Sequence, residues 1–327
     1  MKALLPALLA AALVTTGCGT TTPTDPNPLA GDSFYVDPAG HAVQQMLLRQ
    51  HAGDRQGALA LRPLAAQPTA VWFTGNQSDP QAGVADLTTR AAAQGKVAVI
   101  TLYNLPQRDC GAYSSGGAAT TRAYQSWLTS VARGITTRKT VAVLEPDAIP
   151  HTLQGCGTST TATQRYQLLA WAVDTLRTNA PHALVYIDAG NAAWIKDLTA
   201  LAAALRASGV GHAGFALNVS NFVPTKASID YATRLSELVG GAHFVIDTSR
   251  NGNGSPPLTS DQQSSWCNPP GRAPGTPPTS RTATKHLDAL LWIKQPGDSD
   301  GTCHGGPPAG TWSAALAQDL LNGRTSA

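Results

Sequence analysis

The feature that most limits how this 327-residue chain can fold is a short apolar run that recurs along it and each time halts on polar residues. Seven such runs, rich in β-branched and aromatic residues, occupy 70–73, 97–103, 140–144, 184–187, 215–217, 243–246 and 289–293. Ala- and Leu-rich segments with helical spacing separate them, among others 87–93, 124–131, 166–176, 198–205 and 231–239. Near-continuous apolar strands alternating with helices require a parallel sheet covered on both faces. The pattern predicts an α/β fold, a distorted seven-stranded TIM-like (β/α) barrel in a single domain, with a doubly wound open sheet as the alternative. In a barrel the C-terminal ends of all strands meet at one rim, where active sites of this architecture sit.

What stands at those ends is therefore informative. The second run leads into Asn104 and then Arg108-Asp109-Cys110, the third into Glu145-Pro146-Asp147, and the fourth into Asp188, Asn191 and Trp194. Asn218, Asn221 and Phe222 follow the fifth, Asp247 and Arg250 the sixth, and Lys294, Asp298 and Asp300 the last. A single aspartate after a strand is more often a helix cap or turn former than a catalyst. Five caps would not also bring Arg108, Lys294 and Trp194 to the same rim, and the chain has only 20 acidic residues to distribute. No H-E-x-x-H, Ca²⁺ loop, G-x-S-x-G, phosphate loop or dinucleotide fingerprint accompanies them, and the eight histidines are scattered. His304, beside Cys303, reads as a surface loop residue. A carboxylate site with aromatic platforms and no metal or cofactor signal points to sugars.

The formal charge of +3 comes from dispersed Lys and Arg, which disfavours nucleic acid or an anionic membrane as the main partner. Lys2, the apolar stretch 4–14 and Thr15-Thr16-Gly17-Cys18 read as a signal peptide over 1–17, too short to span a bilayer as a helix. Cleavage before Cys18 would leave a lipidated cysteine, as in bacterial lipoproteins; plain secretory cleavage is the alternative. Residues 18–30 then read as the lipidated cysteine and a disordered tether, and 31–327 as the catalytic domain. Export to the cell surface or beyond is expected. The other four cysteines, Cys110, Cys156, Cys267 and Cys303, suit an oxidising compartment and allow three pairings. Their order favours Cys110 with Cys156 and Cys267 with Cys303, closures worth about 3–4 kcal/mol each in the chain-entropy model.

The stretch Tyr103-Asn-Leu-Pro-Gln-Arg-Asp-Cys-Gly-Ala-Tyr-Ser-Ser-Gly-Gly117 resembles the first signature of glycoside hydrolase family 6, and Val141-Ala-Val-Leu-Glu-Pro-Asp-Ala-Ile-Pro150 its second. Supporting matches follow in family order at Asp188-Ala-Gly, Asp247-Thr-Ser-Arg-Asn-Gly-Asn-Gly254, Trp266-Cys267 and Trp292-Ile-Lys-Gln-Pro-Gly-Asp-Ser-Asp-Gly301. Departures are Thr101 for a usual Val, Asn191 for a His that touches sugar, and Asp298 for a substrate-contacting Glu.

The resemblance implies an inverting hydrolase of β-1,4-glucan that needs no cofactor and works as a monomer. By the same resemblance Asp147 is the proton donor, Asp188 supports it, and Asp109 couples to it and steers water. Either Asp109 or Asp300 is the base. Tyr103 crowds the distorted sugar at the cleavage point. Tyr35, Asn191, Trp194, Asn221, Trp266, Lys294 and Asp298 match sugar-binding positions. Only Gly301 and Thr302 separate Asp300 from Cys303, and the interval from Cys110 to Cys156 is compact. Exo-acting relatives are longer in both places and enclose a tunnel, so an open cleft and endo action are expected; an exo-acting cellobiohydrolase and a non-catalytic sugar-binding lipoprotein are the alternatives.

Overall fold

A computed structural model of the protein describes residues 26–157, 159–257 and 265–323. The expected signal segment and Cys18 lie outside the described residues. Strands β1 (Val71–Phe73), β2 (Ala98–Leu102), β3 (Thr140–Leu144), β4 (Ala183–Asp188), β5 (Gly214–Leu217), β6 (Phe244–Asp247) and β7 (Leu287–Leu291) pair side by side in chain order, every pair parallel. The sheet curls until the Ala70 N–H donates to the Trp292 carbonyl at 2.9 Å, joining its two edges. Sequential order decides for the distorted barrel over the doubly wound sheet, whose strand order reverses at a switch point.

Alternation along the strands builds two cores. Val99, Val141, Val143, Tyr186, Ala216, Val245, Ala289 and Leu291 fill the inside of the curl. Ile100, Leu102, Leu144, Ile187, Phe215 and Ile246 face outward under the helices. The helices are α1 (His41–His51), α2 (Arg55–Ala65), α3 (Pro80–Ala93), α4 (Thr121–Ile135), α5 (Ala148–Leu153), α6 (Ser159–Asn179), α7 (Leu198–Ala207), α8 (Thr225–Leu238) and α9 (Ala314–Gly323). Helix α4 shows why such segments are helical. Thr120 caps it by accepting from the Ala123 N–H at 3.1 Å, and Tyr124, Trp127, Leu128, Val131 and Ile135 form one buried stripe.

Most strand bounds lie within one or two residues of the sequence expectation, and two of the differences have a visible cause. Strand β7 ends at Leu291 rather than Ile293, because the Asp247 carboxylate takes the N–H groups of Ile293 (3.2 Å) and Lys294 (3.0 Å) that would have continued the ladder. The expected tether also ends earlier than residue 30. Asn27 donates to the Asp288 carbonyl at 2.9 Å and accepts from the Leu29 N–H at 2.7 Å, which folds Leu29 into full burial.

Candidate active site

Pro146 sets where β3 stops. A residue before proline avoids the right-handed helical region, and Glu145 takes φ 50°, turning the chain at the rim. Asp147 follows at φ 67° in the N-cap position of α5, yet its side chain caps nothing. Elsewhere Asp54, Asp79 and Asp197 do cap helices through their carboxylates. The Asp147 carboxyl is thus left over for chemistry. Asp188, at the end of β4, accepts the Asp147 N–H at 2.8 Å and the Gly190 N–H at 3.2 Å on Oδ2. Its Oδ1 is buried with no hydrogen bond among the described residues. Burial, reinforced by the Asp188 charge, pushes the Asp147 pKa up to about 8. Burial raises Asp188 as well, against the backbone N–H groups that favour its charge. One proton held by the pair relieves the repulsion between two buried carboxylates.

Asp109 approaches from the loop after β2, at φ 56° in a short 3-10 turn. Its Oδ2 accepts the Ser114 N–H at 2.6 Å, and its Oδ1 lies 3.4 Å from Nε2 of His151, one turn along α5 from Asp147. One oxygen each of Asp109 and Asp147 and one ring nitrogen of His151 lie within 4.8 Å of one another. Among the described residues no other such group has metal-ligand spacing, but three half-buried groups are one short of the four-ligand shell of a structural zinc site. Glu145 is buried, and its left-handed backbone carries the carboxylate to the helix side of the sheet, beside Tyr124 of α4. It accepts the N–H groups of Asn104 (3.0 Å) and Leu105 (2.8 Å), fixing the loop that carries Asp109. Burial pushes its pKa up to about 7 despite those two bonds.

The opposite wall is built on β6 and β7. Asp300 accepts from Arg250 Nη1 at 2.8 Å and the Asn268 N–H at 3.0 Å on Oδ2, and from Lys294 Nζ at 3.1 Å on Oδ1. Burial would raise its pKa, but the Arg250 and Lys294 charges outweigh burial and hold it below the usual carboxylate value. Arg250 also donates to the Ser220 carbonyl and lies 4.5 Å from the centre of the Phe222 ring. Asp247, fully buried, ties β5, β6 and β7 together through the N–H groups of Ser220, Ser249, Ile293 and Lys294. Both expected disulfides are present, Cys110–Cys156 and Cys267–Cys303, with Cα separations of 5.9 and 6.2 Å. Each anchors an aspartate-bearing loop.

Aromatic rings complete the rim. Tyr103 is buried against the edge of Trp72 at 5.5 Å, with the Arg108 guanidinium 4.8 Å from its ring centre. Trp194 is half-buried and meets the His151 ring edge-on at 5.0 Å. Trp266 is exposed and touches Tyr113.

Acids thus stand on the ends of successive parallel strands, with disulfide-anchored loops around them. The family model for glycosyl hydrolases family 6 matches residues 29–324. The chain belongs to that family. Endoglucanase A of Cellulomonas fimi is 41% identical over 90% of this chain, which spans 62% of that relative's length. The 1,4-β-D-glucan cellobiohydrolase Cel6B of Podospora anserina is 28% identical over 96% of this chain and 88% of its own. Among solved structures, the endoglucanase Cel6 from Mycobacterium tuberculosis, in complex with methyl-cellobiosyl-4-deoxy-4-thio-β-D-cellobioside, is 43% identical with a TM-score of 0.84. That match covers 92% of this chain and 100% of that one.

Within this family 6 domain, Tyr103, Asp109, Asp147, Asp188, Trp194, Asn221, Trp266, Lys294, Asp298 and Asp300 all follow C-terminal strand ends or the loops that rise from them. Two of the expected sugar-binding positions, Asn191 and Asp298, have partners within the protein. Asn191 accepts the N–H groups of Ala193 (3.0 Å) and Trp194 (3.1 Å) and so shapes the turn that presents Trp194. Asp298 pairs with His41 Nδ1 at 2.8 Å, and that bond raises the His41 pKa. Tyr35 requires a correction. Phe34 bridges to Val97, at the other end of β2 from the rim, so the Tyr35 ring is buried beneath α3 and its hydroxyl accepts from Arg90 at 2.8 Å. Arg250, His151 and Asn268 were absent from the sequence-derived site. Arg250 was within reach, since it ends the strand-end motif that opens with Asp247. His151 needed the helical turn of α5 to bring it back to Asp147.

Proposed function

We propose that this chain is an exported, endo-acting cellulase that hydrolyses β-1,4-glucan with inversion. The observation that carries the reading is the asymmetry between Asp147, a carboxyl without a cap bond whose pKa burial and Asp188 raise, and Asp300, an anion locked by two cations. Asp147 protonates the glycosidic oxygen as the C–O bond breaks. Water attacks the opposite face of the ring and the hydroxyl it delivers stays on the anomeric carbon, so a β-linkage gives an α-anomer. Asp300, saturated by Arg250, Lys294 and the Asn268 N–H, is a poor proton acceptor. Its fixed charge suits the positive ring that develops in the transition state. Asp109 is the better recipient of the water's proton, because its Oδ1 carries only the 3.4 Å approach of His151. Tyr103 stands over the cleavage point.

Endo action is supported by the short segment between Asp300 and Cys303 and by the names of the more similar relatives. Export is supported by the two disulfides and by the leader-like N-terminus. Carboxymethylcellulose tests the reading: viscosity should fall well before reducing ends accumulate, and proton NMR in the first minutes should show the α-anomer. A β-anomer as first product would exclude inversion. Reducing ends rising in step with the loss of viscosity would exclude endo action.

A further inference from the structure

We propose that Tyr113 is a sugar-binding residue, and that with Trp266 it clamps one glucosyl unit between the two aspartate-bearing loops. The inference rests on the glucanase reading above and adds to it a residue that lies within the first signature stretch but is not among the expected subsites.

Among the described large hydrophobic side chains that remain exposed, only two are aromatic: Tyr113 at 37% and Trp266 at 36%. They touch each other, with ring centres 6.1 Å apart and planes inclined by 50°. Two exposed aromatics meeting by chance on an ordinary surface would need no account. These two come from different loops, and each loop is stapled beside a proposed acidic group. Tyr113 stands four residues after Asp109, on the loop held by Cys110–Cys156, and Trp266 precedes Cys267, which is bonded to Cys303. The Tyr113 ring also lies on Gly301, the residue after Asp300; a Cβ there would stand 2.4 Å from the ring's Cγ. Only glycine at 301 permits that approach, so the contact is built into the sequence of both loops.

The occupant follows from the chemistry. A pyranose presents a flat C–H face that stacks on aromatic rings and an edge of hydroxyls that seek donors and acceptors. Tyr113 supplies a partly exposed ring and a hydroxyl with no hydrogen bond among the described residues, and Trp266 supplies a second ring inclined to the first.

Binding measured apart from turnover provides the test. Cellotetraose is titrated calorimetrically into the Asp147→Asn protein, with and without Tyr113→Ala. The alanine is expected to weaken binding by roughly 3- to 10-fold, the range of one aromatic stacking contact. Tyr113→Leu, which keeps apolar bulk and loses the flat face, should weaken it to a similar extent, and Tyr113→Phe should retain most of it. In the otherwise unaltered enzyme the defect should fall on KM rather than kcat. Binding by Tyr113→Ala within about twofold of the parent would overturn the proposal, as would a fall in kcat with KM unmoved, the mark of a loop-positioning role. Absence of any reducing-sugar release from β-1,4-glucans by the unaltered protein would instead remove the glucanase reading itself.

Discussion

Asp147 on the β3–β4 wall and Asp300 on the β6–β7 wall are two desolvated carboxylates treated in opposite ways. On the β3–β4 wall, backbone N–H groups hold Glu145 and Asp188 while the Asp147 carboxyl makes no cap bond, and burial raises all three pKa values. On the β6–β7 wall, Asp300 has a guanidinium and an ammonium in contact and is pulled the other way. Burial is common to both walls; what differs is whether a cation accompanies the carboxylate. A desolvated acid without a cation keeps its proton, whereas the same group beside Arg and Lys stays charged. On the proposed function, one barrel rim thus presents a proton donor and a fixed anion to the same substrate at one pH.

The largest expected effect comes from removing the donor. Asp147→Asn should lower turnover on cellulose by about 10²–10⁴-fold, the range of general-acid contributions, with little change in melting temperature. On a dinitrophenyl cellobioside, whose leaving group needs no proton, the loss should be much smaller. Equal losses on both substrates would remove the contrast between the walls, because Asp147 would then not be the acid.

Next in size is the cation lock. Arg250→Met keeps bulk over Phe222 but leaves Asp300 buried with Lys294 alone, and breaking a buried pair from one side costs about 3–5 kcal/mol. Thermal denaturation should show a drop of roughly 5–10 °C. If the variant melts like the parent, Asp300 does not depend on its guanidinium, and the wall is not set by cations in the way described.

The sequence made the acid wall legible and left much of the cation wall hidden. Strand ends can be read from period and composition, and the rim positions of Asp147, Asp188 and Asp300 follow from them. Pairings across the barrel depend on curvature and side-chain reach, which no local pattern encodes. Arg250 meets Asp300 fifty residues away, and Asn268 meets it from a loop with no regular structure. Tyr35 failed for a related reason. An aromatic beside the first strand reads the same whether its segment lies at the top of β2 or pairs with Val97 at the bottom. Helices α1 and α2 were also missed, the first because it has no fully buried residue, the second because it carries Pro63 in its interior.

The smallest expected effect concerns Glu145, which touches no substrate and distinguishes burial from function on the acid wall. Its folded pKa, about 7, lies above its unfolded value of roughly 4.3. Between those values the folded protein binds more protons than the unfolded chain, so stability falls as pH rises from about 4 to about 7. Asp147 and Asp188 act in the same direction. The unaltered protein should therefore melt at a higher temperature at pH 5 than at pH 8. Glu145→Gln keeps one acceptor oxygen for Asn104 or Leu105 and turns an amide nitrogen toward the other N–H, a loss of about 1 kcal/mol where one hydrogen bond goes. Because the amide does not titrate, that deficit should be largest near pH 5 and shrink toward pH 8, while the slope left over comes from the other groups with raised pKa values, Asp147, Asp188, Asp247 and His41. Calorimetric melting at pH 5, 6.5 and 8 distinguishes the outcomes. A deficit that grows with pH would mean that Glu145 is stabilised as an anion, and the acid wall would then resemble the wall opposite.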